Sequence, residues 1–196
     1  MSVFISLLRG INVGGQKKIR MVELTSLYQS LALVNAKSYL QSGNVLFESS
    51  DQDTSRIALL IEAGIEQNFG YAVSVLVRET HYFQGITDSN PFLKGRNEDT
   101  ANLYVTFLYG SPSKATLSKL HVANEESDEF YVGDNAIFLY CPTGYGRTRI
   151  SNNFFERKLK MPATTRHWNT VTALYRLAMG NATLDGREAR DTGAED

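Results

Sequence analysis

Apolar positions along the chain follow two periods, and their alternation outlines the fold. Residues 3–8 are a short apolar run bounded by Arg9-Gly10, which reads as a strand. Met21, Leu24, Leu27, Tyr28 and Leu31 recur at spacings of three and four, so they share one face of a helix. Short strands at 39–40 and 45–47 flank Ser42-Gly43-Asn44, whose turn chemistry makes them a hairpin. Asp53 or Thr54 then caps a second helix carrying Ile57, Leu60, Ile61, Ile65 and Phe69, Gly70 ends it, and residues 71–77 return as a strand. The order βαββαβ is the ferredoxin-like, or split βαβ, unit, with two helices on one face of an antiparallel sheet.

The pattern then repeats. Val3-Phe4-Ile5-Ser6-Leu7-Leu8-Arg9-Gly10 is echoed by Leu103-Tyr104-Val105-Thr106-Phe107-Leu108-Tyr109-Gly110, and the hairpin around Gly43 by one around Gly133-Asp134-Asn135. Ser111-Pro112 starts a helix carrying Leu117 and Leu120, and Ser151 caps another carrying Phe154, Phe155 and Leu159. Residues 164–168 form the last strand, and Val171, Leu174, Tyr175 and Ala178 a terminal helix stopped by Gly180. The predicted fold class is therefore α+β: two ferredoxin-like (βαββαβ-type) halves related by internal duplication, plus a C-terminal helix. The halves span 1–78 and 101–184, joined by a linker with a short helix at 79–100 and followed by a polar, disordered tail at 185–196.

Composition narrows the function classes. A net charge of -1 over 196 residues argues against a protein that coats DNA or membranes. The single cysteine, Cys141, permits no internal disulfide and fits a reducing cytoplasm, and no apolar run is long enough to span a bilayer. Asn181-Ala182-Thr183 matches a glycosylation sequon, which means little without a secretory signal. His81, His121 and His167 are scattered without ligand spacing, so no metal site and no cofactor are expected. Cys141, ending an apolar run before Pro142, reads as a buried, inert thiol.

Two basic segments remain. Gly10-Ile11-Asn12-Val13-Gly14-Gly15-Gln16-Lys17-Lys18 has the glycines and cations of an anion-binding loop, but neither Walker nor GxGxxG spacing; solvated lysines at a turn are the simpler reading. The stretch from Arg147 and Arg149 through Arg157, Lys158 and Lys160 to Arg166 holds one acid, Glu156, while Glu125, Glu126, Asp128 and Glu129 cluster upstream. Here too a solvated helix face competes with function. The expected ligand-binding set is Arg147, Asn152, Asn153, Lys158 and Arg166 around one concavity at a helix start, joined by Arg9 and Asn12. The leading expectation is a cytoplasmic protein binding a small anionic or phosphorylated ligand, with catalysis undecided. The alternatives are a nucleic-acid-binding module using Tyr104, Tyr109, Tyr131 and Tyr140 on an open sheet face, and a protein-interaction module.

At Leu7-Leu8-Arg9-Gly10-Ile11-Asn12-Val13-Gly14-Gly15, Gln41-Ser42-Gly43-Asn44-Val45, Asn152-Asn153-Phe154-Phe155-Glu156 and Ala163-Thr164-Thr165-Arg166-His167-Trp168-Asn169-Thr170-Val171, the chain resembles the bacterial domain-of-unknown-function family 1697 (DUF1697). His167 stands where that pattern more often carries asparagine. The resemblance covers nearly all of the chain except the tail and implies two similar α+β halves of ferredoxin-like character. It implies no activity and lends no functional residue.

Overall fold

Two four-stranded antiparallel sheets organise this mixed α+β chain. The computed structural model describes residues 1–117, 120, 127–134 and 136–180. The expected tail, His121, Glu125, Glu126, Asn135 and the sequon at Asn181 lie outside the described residues. The chain divides into two units, one His81–Ala173 and the other Met1–Thr80 with the chain from Leu174 onward.

The first unit holds β1 (Ser2–Leu8), α1 (Met21–Ser30), β2 (Val34–Tyr39), β3 (Asn44–Ser49), α2 (Thr54–Phe69) and β4 (Val75–Glu79). Its sheet order is β2-β3-β1-β4 with every neighbour antiparallel. Phe4, Leu8, Val45, Phe47, Val75 and Val77 face Leu24, Leu27, Tyr28, Ile57, Ile61 and Ile65 of the helices in one core. Inside it the Ser6 hydroxyl donates to the Val45 carbonyl (3.1 Å), so the Tyr28 hydroxyl at 2.8 Å donates to Ser6 and both buried groups are satisfied. Asp53 caps α2 by accepting from Ser55 N and Arg56 N, and Gly70 ends it at φ 72°, as their positions predict. The strand expected at 39–40 starts earlier, at Val34. Its exposed Asn35 and Lys37 hide it from a hydrophobic-period search because β2 is an edge strand.

The second unit holds α3 (Thr80–Ser89), β5 (Leu103–Leu108), α4 (Lys114–Leu117), β6 (Glu129–Val132), β7 (Ile137–Tyr140), α5 (Asn152–Leu159), β8 (Ala163–His167) and the start of α6 (Trp168–Ala178). Its sheet order is β6-β7-β5-β8, again antiparallel throughout. Three local expectations are corrected. Among the described residues α4 starts after Ser113, whose hydroxyl accepts from Thr116 N, so Pro112 lies outside it. Ser151 gives α5 no side-chain cap. Trp168 opens α6 rather than ending β8, and His167 accepts from Asn169 N through Nδ1.

Side chains pack on both faces of the second sheet along β5, β7 and β8, while Tyr131 on the edge strand β6 is 54% exposed. Tyr104, Leu108, Ile137, Leu139 and Ala163 pack with Phe155 and Leu159, while Leu103, Val105, Phe107 and Phe138 are also buried, with Phe83 of α3 at 5.7 Å from Phe107 between ring centroids. Tyr104 lies against Tyr145 and His167, and Tyr140 against Phe92. Of the sheet tyrosines Tyr104, Tyr131 and Tyr140, only Tyr131 is exposed.

Candidate ligand-binding groove

After β1 the backbone of Arg9 bonds to the Ser74 carbonyl, and the chain enters the glycine-rich loop. Asn12 fixes that loop to its surroundings: its Nδ2 donates to the carbonyls of Ile19 and Gln41, both at 2.9 Å, and its Oδ1 accepts from Ile19 N at 2.9 Å. Asn12 is thus a brace between the loop and the β2–β3 turn rather than a direct ligand group. The loop closes on itself through Asn12 N to the Lys17 carbonyl and Gln16 N to the Val13 carbonyl, with Gly14 and Gly15 at φ 57° and 74°. Lys17 is used as well, since its ammonium donates to the Ala72 carbonyl at 2.6 Å.

Between the loop, the start of α1 and the edge strand β2 lies a groove of about 880 Å³. Its cations are Lys18, Arg20 and Lys37, and its one acid is Glu23. Arg20 forms an ion pair with Glu23 and holds that carboxyl below its usual range. Among the described residues neither Lys18 nor Lys37 makes an ion pair, so the groove carries a net positive charge. Arg20 supplies α1 with no side-chain cap, and the helix dipole at its first turn adds to the positive field. Ile19, Met21, Val22, Ala36 and Leu40 provide its apolar surface. Leu40 adopts φ 57°, an uncommon conformation for a bulky side chain and one that backbone strain tends to concentrate at functional sites.

The residues expected from the second basic stretch are not brought around one point. In the second unit Tyr145, from a short 3-10 turn, replaces the missing cap: its hydroxyl accepts from Asn152 N (3.0 Å) and donates to Thr165 Oγ1 (3.0 Å). Thr165 in turn donates to Asn152 Oδ1 (2.7 Å) and accepts from Thr106 (2.7 Å). Burial pushes the Tyr145 pKa up, which keeps the hydroxyl a donor. Because neighbouring residues of a strand project to opposite faces, Arg166 points away from the face where Thr165 meets α5. It is buried there, donating to Thr164 Oγ1 and the Thr165 carbonyl. Lys158 lies in the last turn of α5, away from Asn152 and Asn153 in the first, and Arg147 and Asn153 are exposed. Arg9 and Asn12 belong to the first unit.

This network carries a prediction. Tyr145→Phe removes one donor and one acceptor from a half-buried cluster and is expected to cost about 2 kcal/mol, at roughly 1 kcal/mol per net hydrogen bond. Urea denaturation measures it, and a loss below about 0.5 kcal/mol would show that the hydroxyl does not cap α5.

Cys141 is fully buried, and desolvation pushes its pKa from 9.0 up to about 11. Its thiolate fraction at pH 8 is then roughly a hundredfold below that of an exposed thiol, before access is considered. Native protein should react with a small disulfide reagent at least that much more slowly than denatured protein; equal rates would reopen nucleophilic chemistry.

Sequence reasoning did not single out Lys37 and Leu40 as groove residues, since they lie some twenty residues from the glycine-rich loop, on a half-buried edge strand and in the turn that follows it. The segment around Arg96 is a loop, and sequence reasoning did not see what holds it. Arg96 makes a bidentate contact with both oxygens of Glu129, donates twice to Oε1 of Glu98 and stacks over Phe92 and Tyr140, which pins this segment and leaves its charge neutralised.

Among known proteins, a family model described as "Protein of unknown function (DUF1697)" matches residues 1–138. The chain is similar in structure to the conserved bacterial protein SP0830 from Streptococcus pneumoniae, with a TM-score of 0.70 and 23% identity over 90% of this chain and 98% of that one. At that identity the likeness establishes the fold alone. No curated protein matches the chain.

Proposed function

The chain belongs to the DUF1697 family, whose function is unknown, and from its first-unit groove we propose that it binds a small anionic or phosphorylated ligand there. The observation that carries this reading is the pairing of a groove of about 880 Å³ with two lysines, Lys18 and Lys37, that no carboxylate neutralises among the described residues. Pockets of roughly 300–1,000 Å³ with a few convergent polar groups on an apolar lining are the usual form of small-ligand sites. An anion beside Lys18 and Lys37 gains charge-assisted hydrogen bonds, and the uncapped start of α1 adds to the attraction. Asn12 serves by tying the loop to the hairpin turn, which fixes their separation.

The rest of the proposal concerns origin and setting. The equal strand orders of the two sheets, with the third strand of each set between the first and second, support two ferredoxin-like units derived from one by duplication. A buried lone cysteine, and the lack of any described helix long and apolar enough to cross a membrane, support a cytoplasmic protein. With Tyr104 and Tyr140 packed against other rings, Tyr131 alone of the sheet tyrosines is left exposed, which puts the nucleic-acid reading behind the small-ligand one.

Isothermal titration with inorganic phosphate and with phosphate monoesters, at matched ionic strength, tests the site. Replacing Lys18 and Lys37 together by alanine should weaken binding at least about tenfold, since each charge-assisted hydrogen bond contributes about 1.5–3 kcal/mol. Arg147→Ala and Lys158→Ala should leave it unchanged. Equal affinity in all variants, or loss only in the second-unit variants, would overturn the assignment to this groove.

A further inference from the structure

The groove is much larger than the anion proposed for it. A water molecule occupies about 30 Å³ of liquid, and an inorganic phosphate only a few times that, against about 880 Å³ here. The remaining space is not polar. Val22 and Leu40 line it while 66% and 43% exposed, so two large exposed apolar side chains meet in one groove. Leu40 holds its position at φ 57°, where asparagine or glycine is accommodated more easily. An apolar side chain that is both strained and exposed gains nothing for the folded state by facing water, and an apolar ligand surface is what would reward it.

Resting on the anion site just proposed, we infer that the ligand is a phosphate monoester carried on an apolar body, with the phosphate at Lys18 and Lys37 and the body covering Val22 and Leu40. Burying that body against Val22 and Leu40 adds affinity that inorganic phosphate lacks. The lining contributes no cysteine or histidine, and its one carboxylate is taken up by Arg20. The inference is therefore one of recognition and includes no bond-breaking step.

Phenyl phosphate and inorganic phosphate serve as probes, titrated into the full chain and into Leu40→Asn and Val22→Gln. Asparagine tolerates the left-handed conformation, and both positions are exposed, so the variants should fold; circular dichroism checks that they do. The expected result is phenyl phosphate binding at least tenfold tighter than inorganic phosphate, with that advantage falling severalfold in each variant while the affinity for inorganic phosphate stays constant. Equal affinity for the two probes would overturn the apolar-body inference and leave the anion site standing. No binding of either probe would remove the anion site and the inference with it. Loss of affinity for both probes alike in Leu40→Asn would assign Leu40 to the architecture of the groove and overturn its role against the ligand body.

Discussion

Gly43→Ala is expected to destabilise the first unit by about 2–5 kcal/mol, the sum of left-handed strain of about 1–2 kcal/mol and overpacking of about 1–3 kcal/mol. Gly43 sits at φ 76° in the β2–β3 turn, and a methyl group there would lie 2.7 Å from Leu8 Cβ and 2.9 Å from Ile11 Cγ1. Neither neighbour can yield easily. Leu8 and Ile11 are fully buried, and the Gly43 carbonyl accepts from Leu8 N at 2.8 Å, which holds the turn down against β1. Gly70→Ala is the control, because Gly70 has a similar φ of 72° with nothing within 4 Å of the added carbon. It should cost only the strain, about 1–2 kcal/mol. Urea denaturation of the two variants separates the contributions; equal losses would show that close approach to Leu8 does not matter.

Asn12→Ala is expected to cost about 3–4 kcal/mol and to weaken anion binding as well. Three hydrogen bonds to Ile19 N, the Ile19 carbonyl and the Gln41 carbonyl are lost, at about 1 kcal/mol each. Alanine also tolerates the φ of 55° less well than asparagine. Asn12→Asp separates bracing from shape. It keeps the acceptor for Ile19 N but turns a carboxylate oxygen toward two carbonyl oxygens, so it too should destabilise. Stability is read by urea denaturation and binding by titration with phosphate. A variant that keeps full stability while losing binding would contradict the bracing role and restore Asn12 as a direct ligand.

Features governed by local chemistry were legible in the sequence. Asp53 and Gly70 mark the ends of α2 because a cap needs only a side chain and a backbone angle at one position. The α1 face was readable because Leu24, Leu27 and Tyr28 point into one core. Features set by distant partners were not. α5 takes its cap from Tyr145 rather than from the adjacent Ser151, and nothing local distinguishes a serine that caps from one that does not. The charge run ending at Arg166 suggested a cluster, but strand parity sends Thr165 and Arg166 to opposite faces, which becomes visible only once β8 and its register are known. The glycine-rich loop pointed toward the groove, and its Lys18 lines it. The opposite wall comes from Lys37 of β2 and Leu40 in the turn after it, and only Val34 and Ala36 of that half-buried edge strand mark it as apolar in the sequence.

The most direct test of an anion site in the first unit is a map of where an anion perturbs the backbone. Backbone amide shifts should be followed by NMR in uniformly labelled protein as phenyl phosphate is added at constant ionic strength. Saturable changes should be confined to residues 12–25 and 36–41, and should vanish when Lys18 and Lys37 are both alanine. Saturable changes centred on Asn152 and Asn153 instead, or no saturable change anywhere, would contradict it.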